Sequence, residues 1–125
     1  MRMSNFNVGS KIMDDMAVIY PKGYLNNITG EDLVDACNGY IEKGIKKIVL
    51  NFGETEFINS IGISMLLTII ERLKECKGTL CFTDMSKMYR ETFEMLGLTK
   101  FIKIFADEHE ALTHLRSIGS NEPRT

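Results

Sequence analysis

Four short apolar runs divide this chain, and each is followed by a longer segment whose apolar residues recur at helical spacing. The runs cover residues 16–20, 46–52, 79–83 and 101–105. Such runs, rich in β-branched residues and bounded by polar or glycine positions, are typical of buried strands. Strands that alternate with helices form a mainly parallel sheet covered by those helices. The pattern therefore predicts a single α/β domain with a four- to five-stranded sheet, an N-terminal hairpin strand and about four helices.

The residues between the runs indicate the turns and loops. Apolar residues near the start suggest a first strand, and paired aspartates after it suggest a tight turn. The predicted non-helical segments are a strand that includes Phe6, Val8 and Lys11–Ile12, a turn at Asp14–Asp15, and loops at residues 21–27 and 53–59.

Capping residues mark where the helices begin and end. Ser, Thr, Asn and Asp favour the N-cap, and Gly favours the position after the last turn. The predicted helices run from a Thr29–Asp32 capping box to about Lys43, from Asn59 or Ser60 to about Cys76, from Ser86 to Met95, and from Asp107 to about Ile118.

Length and charge narrow the class of protein. The chain has 125 residues, of which 44% are hydrophobic, and a formal net charge of -2. One domain over residues 1–118 with a disordered tail over residues 119–125 fits that length. Interleaved charges of both signs leave no basic footprint for nucleic acid. The longest apolar run, residues 61–70, is too short to span a bilayer.

The cysteines indicate a reducing compartment. Their number is three, and no two of them have the CxxC spacing of a redox or metal site. Free thiols are typical of a reducing cytoplasm. We expect a cytoplasmic protein that forms a monomer or a weak dimer.

The second helix has an unusual start. Its apolar residues lie on one side, so that Ile61 falls on the opposite side with Ser64, Thr68, Glu71 and Glu75. A large apolar residue on a solvent-facing surface beside a serine is a candidate partner contact. Met65 lies on the flank of the same turn.

Ser60 has two interpretations at this position. If Ser60 is the N-cap, its hydroxyl is partly committed to a backbone N–H. If Asn59 is the cap, Ser60 is the first helical residue and its hydroxyl is available to a kinase. In both cases a phosphate on Ser60 would meet the positive end of the helix dipole.

Three segments resemble the STAS family, and in particular its anti-sigma-factor antagonists. Residues 57–63, Phe-Ile-Asn-Ser-Ile-Gly-Ile, resemble the segment in which these antagonists typically have Asp-Ser-Ser-Gly. Residues 21–26 resemble the family's G-x-L-D turn before the first helix. Residues 93–102 resemble its L-x-x-x-G-L turn before the last strand. The resemblance extends over roughly residues 5–117.

The resemblance implies a binding module rather than an enzyme. An unphosphorylated antagonist binds an anti-sigma factor that is also a serine kinase, and phosphorylation of the antagonist ends the binding. By position, Ser60 would be the phosphorylated residue. The partner surface around it would comprise Asn26, Asn59, Ile61, Ser64 and Met65. No cofactor and no metal are implied.

The chain departs from the family at three aspartate positions and at the second serine of the family segment, which is Ile61 here. Asn26, Asn51 and Asn59 stand where the family usually has aspartate. Asparagine keeps the acceptor oxygen but loses the charge. A kinase or partner would therefore meet a less acidic surface around Ser60.

Other patterns in the sequence favour simpler interpretations. His109 and His114 are five residues apart, which is not the spacing of two metal ligands on one helix face. Met85, Met88 and Met95 are expected to fill the core rather than to form a docking strip. Alternative functions are a non-phosphorylated scaffold or nucleotide-binding subunit of a larger signalling assembly, and a small enzyme using Asp84 and Asp107. Helix capping is the favoured role for those two aspartates.

Overall fold

The computed structural model describes residues 8–119 and shows a five-stranded sheet in the order β1-β2-β4-β6-β7. The hairpin strand β1 is antiparallel to β2, and the other neighbours are parallel. These features confirm the predicted α/β fold. The strands are β1 Val8–Met13, β2 Met16–Pro21, β3 Gly23–Leu25, β4 Lys47–Asn51, β5 Thr55–Ile58, β6 Thr79–Thr83 and β7 Lys103–Phe105. The helices are α1 Asn27–Glu42, α2 Ser60–Glu75, α3 Lys87–Met95 and α4 Glu108–Gly119.

The predicted opening hairpin is confirmed. Asp14 adopts a left-handed conformation with a φ of 58°, and Met13 pairs with Met16 across the turn. Short polar residues such as aspartate tolerate this conformation better than bulky ones. Phe6 and residues 120–125 of the predicted tail lie outside the described residues.

Both faces of the sheet are buried, which explains why its central strands read as continuous apolar runs. On one face, Ile48 and Leu50 pack in a core with residues of α1 and α2, and with Phe93 of α3. On the other face, Val49 packs with Leu112 and Leu115 of α4. Within the described residues no helix is long and apolar enough to cross a membrane.

A second, two-stranded sheet corrects the prediction of loops at residues 21–27 and 53–59. Strands β3 and β5 pair in parallel, with Tyr24 opposite Phe57 and Leu25 opposite Ile58. Further backbone bonds join Gly23 N–H to the Glu54 carbonyl at 2.9 Å and Asn59 N–H to the Leu25 carbonyl at 3.2 Å. Each strand has at most four residues, so its alternation is too short to recognise in the sequence.

Helix starts agree with the predicted caps except at α1. Ser86 accepts a bond from Tyr89 N–H, and Asp107 accepts one from Glu110 N–H. Helix α1 begins at Asn27, because Asn26 and Thr29 form the capping box in place of the predicted pair, Thr29 and Asp32. Asp84 does not cap α3. It directly follows β6 and has a φ of 58°.

The methionine prediction was wrong for two of its three members. Met85 is buried as expected, whereas Met88 and Met95 are exposed on α3. Their spacing of seven residues places both on the outer side of a helix only nine residues long. The last strand, predicted at residues 101–105, was also too long, because Phe101 caps the 3-10 turn at residues 98–100 and β7 begins at Lys103.

Two glycines allow α1, α2 and β3 to approach closely. A Cβ added to Gly62 in the first turn of α2 would lie 2.4 Å from the Leu25 carbonyl oxygen at the end of β3. A Cβ added to Gly30 would lie 2.5 Å from a carbon of the Met65 side chain. The first turns of α1 and α2 therefore lie side by side.

We expect Gly62→Ala to destabilise the fold by about 1–3 kcal/mol, because the new methyl group meets backbone that cannot move aside. Gly39→Ala is the matched control in a helix, since nothing lies within 4 Å of its added Cβ. That substitution should stabilise the fold by about 0.5–1 kcal/mol. Urea unfolding of both variants checks the pair, and equal effects would contradict the close contact.

Candidate functional site

Ser60 is the first residue of α2, and Asn59 is its N-cap. The Asn59 side-chain oxygen accepts a bond from Gly62 N–H at 2.8 Å. The Ser60 side chain is exposed, and its hydroxyl has no hydrogen bond within residues 8–119. Of the two interpretations of the helix start, the structure selects the one in which the serine hydroxyl is accessible.

The predicted surface residues of α2 lie where their spacing indicated. Ile61, Ser64, Thr68, Glu71 and Glu75 are all exposed. Met65 is half-buried, because its side chain packs over Gly30 of α1. It therefore joins the two helices more than it faces solvent.

Asn26 lies close to this turn because β3 ends against α2. The carbonyl of Leu25, one residue before Asn26, accepts the bond from Asn59 N–H. Asn26 accepts bonds from Ile28 N–H at 3.0 Å and Thr29 N–H at 3.2 Å. The two predicted asparagines thus cap neighbouring helices.

The two adjacent helix starts carry no compensating negative charge. Both caps are neutral, and neither α1 nor α2 has an acidic residue in its first turn. Helix N-termini carry partial positive charge and favour anions. A phosphate on Ser60 would therefore be tolerated by the fold.

Exposed apolar residues border the predicted site, and sequence reasoning missed three of them. Tyr24 on β3, Phe57 on β5 and Ile28 in the first turn of α1 are all exposed. The two aromatic rings lie 5.8 Å apart between centroids. Only the pairing of β3 with β5 brings them together, so no local sequence signal could have done so.

Asn51, the third asparagine, belongs to a different network. Its side-chain N–H donates to Glu108 Oε1 at 3.0 Å, and its oxygen accepts from Gly53 N–H at 2.8 Å. Glu108 also accepts from the Tyr20 hydroxyl at 2.8 Å and pairs with Lys11 at 2.9 Å. This network ties α4 to the ends of β2 and β4.

The charges of the network are mutually stabilised. Burial raises the pKa of Glu108, but bonds from Lys11, Tyr20 and Asn51 outweigh burial and lower it overall. The bond to Glu108 raises the pKa of Lys11. Because the carboxyl pKa is lowered on folding, Glu108 stabilises the fold at neutral pH. That stabilisation is lost as the pH falls through the folded-state pKa.

Tyr89 supports β5 directly before the site. Its hydroxyl accepts a bond from Ile58 N–H at 2.9 Å and lies 3.4 Å from the Ile58 carbonyl oxygen. The Tyr89 hydroxyl thereby satisfies backbone groups of β5 on the edge that does not pair with β3. This tyrosine was not identified from the sequence.

The cysteines and metal-ligating side chains of residues 8–119 do not form a reactive site. Burial raises the pKa of Cys37 and of Cys81 to about 12, which keeps both thiols protonated. Among the described residues no group of three or more His, Cys, Asp or Glu side chains could hold a metal ion.

Comparison with known proteins assigns the family. The sequence model of the STAS domain family matches residues 8–111 of this chain. The chain belongs to the STAS family. BtrV of Bordetella bronchiseptica, named as a candidate anti-sigma factor antagonist, is 29% identical over 101 residues. The match covers 79% of this chain and 84% of BtrV.

Solved structures share the fold at low identity. The Bacillus protein SpoIIAA in its unphosphorylated form has a TM-score of 0.73 and 22% identity, and the match covers 89% of this chain and 99% of SpoIIAA. Its phosphorylated form has a TM-score of 0.71 and 23% identity over 87% of this chain and 99% of that one. These likenesses establish the architecture.

Substitution by aspartate should affect the stability of the fold differently at Asn51 and at Asn59. Asn51→Asp removes the donor to Glu108 and places two carboxylates together, so we expect a loss of about 1–3 kcal/mol at pH 7. The loss should shrink as the pH falls and the pair binds a proton. Asn59→Asp keeps the cap and adds a charge that the helix dipole favours. We expect it to raise the free energy of unfolding by about 0–1 kcal/mol.

Denaturant unfolding at pH 7 and at acidic pH measures both variants, with Glu108→Gln as the background that should rescue Asn51→Asp. If Asn51→Asp were as stable as the parent at pH 7, the proposed bond to Glu108 would be wrong.

The substitution Tyr89→Phe removes only the hydroxyl that contacts the backbone of Ile58. The variant leaves Ile58 N–H unpaired and should cost about 1 kcal/mol. Amide hydrogen exchange at Ile58 should accelerate while exchange in β4 and β6 changes less. Unchanged protection of Ile58 would contradict the supporting role.

Proposed function

We propose that this protein is an anti-sigma-factor antagonist in a partner-switching pathway. Its unphosphorylated form binds an anti-sigma factor that is also a serine kinase, and phosphorylation of Ser60 ends the binding. The observation that carries the proposal is the exposed Ser60 hydroxyl, which lacks a hydrogen bond in the described chain and lies beside the exposed side chain of Ile61.

The relatives support this assignment. BtrV is named as a candidate anti-sigma factor antagonist, and RsfB of Mycobacterium tuberculosis is named as an anti-sigma-F factor antagonist. SpoIIAA, which shares the fold, is an anti-sigma factor antagonist with an unphosphorylated and a phosphorylated form. An antagonist of an anti-sigma factor is consistent with all three names, and the two forms of SpoIIAA are consistent with a phosphorylation switch.

The chemistry of the site suits a switch that acts on binding and not on folding. A phosphate adds about -1.5 to -2 charge at neutral pH. At the N-terminus of α2 that charge meets unpaired N–H groups and a favourable dipole, so the helix keeps its structure. A partner that covers Ile61 would have to desolvate the phosphate, which is strongly unfavourable without a counter-charge.

Neutral caps affect how the partner is held. With Asn26 and Asn59 in place of acids, the unmodified surface offers amide and hydroxyl groups but no carboxylate at either helix start. Binding would therefore depend on apolar contact and neutral hydrogen bonds. One phosphate would then place strong negative charge at a helix start that has no acidic residue in its first turn.

Phosphorylation by the cognate anti-sigma factor and Mg-ATP tests the proposal. We expect one phosphate at Ser60 by mass spectrometry, none in Ser60→Ala, and normal modification of Ser64→Ala, an exposed serine one turn further along α2. Ser60→Asp should bind the anti-sigma factor at least about ten-fold more weakly, since a new charge must be desolvated. Phosphate at another residue, or equal affinity of Ser60→Asp and the parent, would overturn the switch.

A further inference from the structure

The amino ends of the parallel strands carry a group of lysines, at the end of the molecule opposite the Ser60 turn. Parallel strands begin at the same edge of a sheet, so β4, β6 and β7 bring together residues that are far apart in the sequence. Lys74 joins this group from the last turn of α2. The lysines at or shortly before the strand starts are Lys46, Lys47, Lys77, Lys100 and Lys103.

Most of these lysines have no acidic partner. Asp15 pairs with Lys47 at 3.1 Å, and Glu75 pairs with Arg72 at 3.7 Å. Clustered charges of one sign attract ions of the other sign, so this end of the molecule favours anions. The lysines of the group that make no ion pair within residues 8–119 are Lys46, Lys74, Lys77, Lys100 and Lys103.

A cavity of about 240 Å³ opens at this end, between the last turns of α2 and the 3-10 turn that precedes β7. Its lining is mostly apolar and includes Leu73, Leu80 and Ile102, which are buried members of the core. Among the described residues that line it, the charged side chains are Lys74 and Lys100. A concave apolar surface with a few polar groups is the usual composition of a small-molecule site.

Phe101 forms an outer wall of the cavity and positions one of the two lysines. Its ring is 53% exposed, and Lys74 Nζ lies 4.9 Å from the ring centroid. An ammonium group is attracted to the face of an aromatic ring. Lys74 is therefore kept beside the cavity rather than free to extend into solvent.

The cavity selects its ligand by size and by charge. A volume of about 240 Å³ has room for about eight water-sized groups of about 30 Å³ each. The apolar walls favour carbon over water, and the two lysines favour an anionic group beside them. A ligand with many polar groups, such as a nucleotide, would place some of them against buried leucine and isoleucine without hydrogen bonds, which is unfavourable.

We infer that this α2–β7 cavity, lined by Leu73, Lys74, Leu80, Lys100 and Ile102, binds a monocarboxylate whose apolar body has about eight carbon atoms. A medium-chain fatty acid belongs to that class of ligand. Its carboxylate lies beside the two lysines, and its chain packs against the leucines and the isoleucine. The inference does not depend on the proposed function.

The cavity is also separate from the proposed phosphorylation site. Ser60 and Lys74 lie near opposite ends of α2, a helix of 16 residues, and such a helix is about 24 Å long. A phosphate at one end and a carboxylate at the other do not compete for the same groups. Ser60→Asp should therefore bind the carboxylate as tightly as the parent does.

NMR titration of the isotope-labelled full chain with sodium octanoate tests the inference. We expect saturable shifts of the methyl groups of Leu73, Leu80 and Ile102, while those of Val49 and Leu115 on the other face of the sheet stay unchanged. Octanol should bind about ten-fold more weakly, because it lacks the charge that two lysines attract. Hexanoate should bind more weakly by up to about four-fold for each methylene group that it lacks.

Lysine substitutions test the charge recognition separately. Lys74→Gln and Lys100→Gln should each weaken octanoate binding about three- to five-fold, the modest effect of one exposed charge pair. Their affinity for octanol should stay at the parental value, which shows that the cavity is intact. Lys87→Gln is the matched control, because Lys87 is an exposed lysine of α3 that pairs with Glu91 and does not line the cavity.

Three results would overturn the inference. The first is octanol binding as tight as that of octanoate, which would make the cavity apolar but not selective for anions. The second is an equal loss of octanoate affinity in Lys87→Gln and Lys74→Gln, which would indicate a general effect of net charge. The third is the absence of saturable shifts at Leu73, Leu80 and Ile102. None of these results bears on binding of an anti-sigma factor, so the proposed function would survive each of them.

Discussion

Gly62 and the Leu25 carbonyl oxygen approach so closely that no side chain fits between α2 and the end of β3. Together with the bond from Asn59 N–H to that carbonyl, this contact sets the first turns of α1 and α2 next to each other. Every feature of the site depends on that arrangement. Two caps, one exposed serine and four exposed apolar residues lie on one end of the molecule because β3 and β5 deliver both helices there.

Sequence patterns were sufficient for the main sheet and most of its helices. Runs such as Ile48-Val49-Leu50 are buried on both faces and are therefore visible without partners. The small sheet was invisible for the opposite reason. Its strands bury few residues, and their pairing joins segments about thirty residues apart, which no local pattern reports. Tyr24 and Phe57 consequently read as loop residues.

The candidate site was predicted in part, and the three asparagines show where sequence reasoning stopped. Their resemblance to family aspartates grouped Asn26, Asn51 and Asn59 together. The structure separates them, because two cap helices beside Ser60 whereas Asn51 donates to Glu108. The donor at position 51 serves the bond to Glu108 in this chain, while neutral caps at positions 26 and 59 alter the surface that a partner meets. Hydrogen-bond direction, which sequence does not encode locally, makes the difference.

Chemical-shift mapping of the isotope-labelled chain with its unlabelled anti-sigma factor tests most directly whether this end of the molecule is the binding surface. The largest amide shifts should fall in residues 24–30 and 57–65, and phosphorylation of Ser60 should remove the partner-induced shifts while leaving those of β4 and β6 at their native positions. Shifts concentrated on α4 or on the outer edge of β1, with residues 24–30 and 57–65 unaffected, would contradict the account.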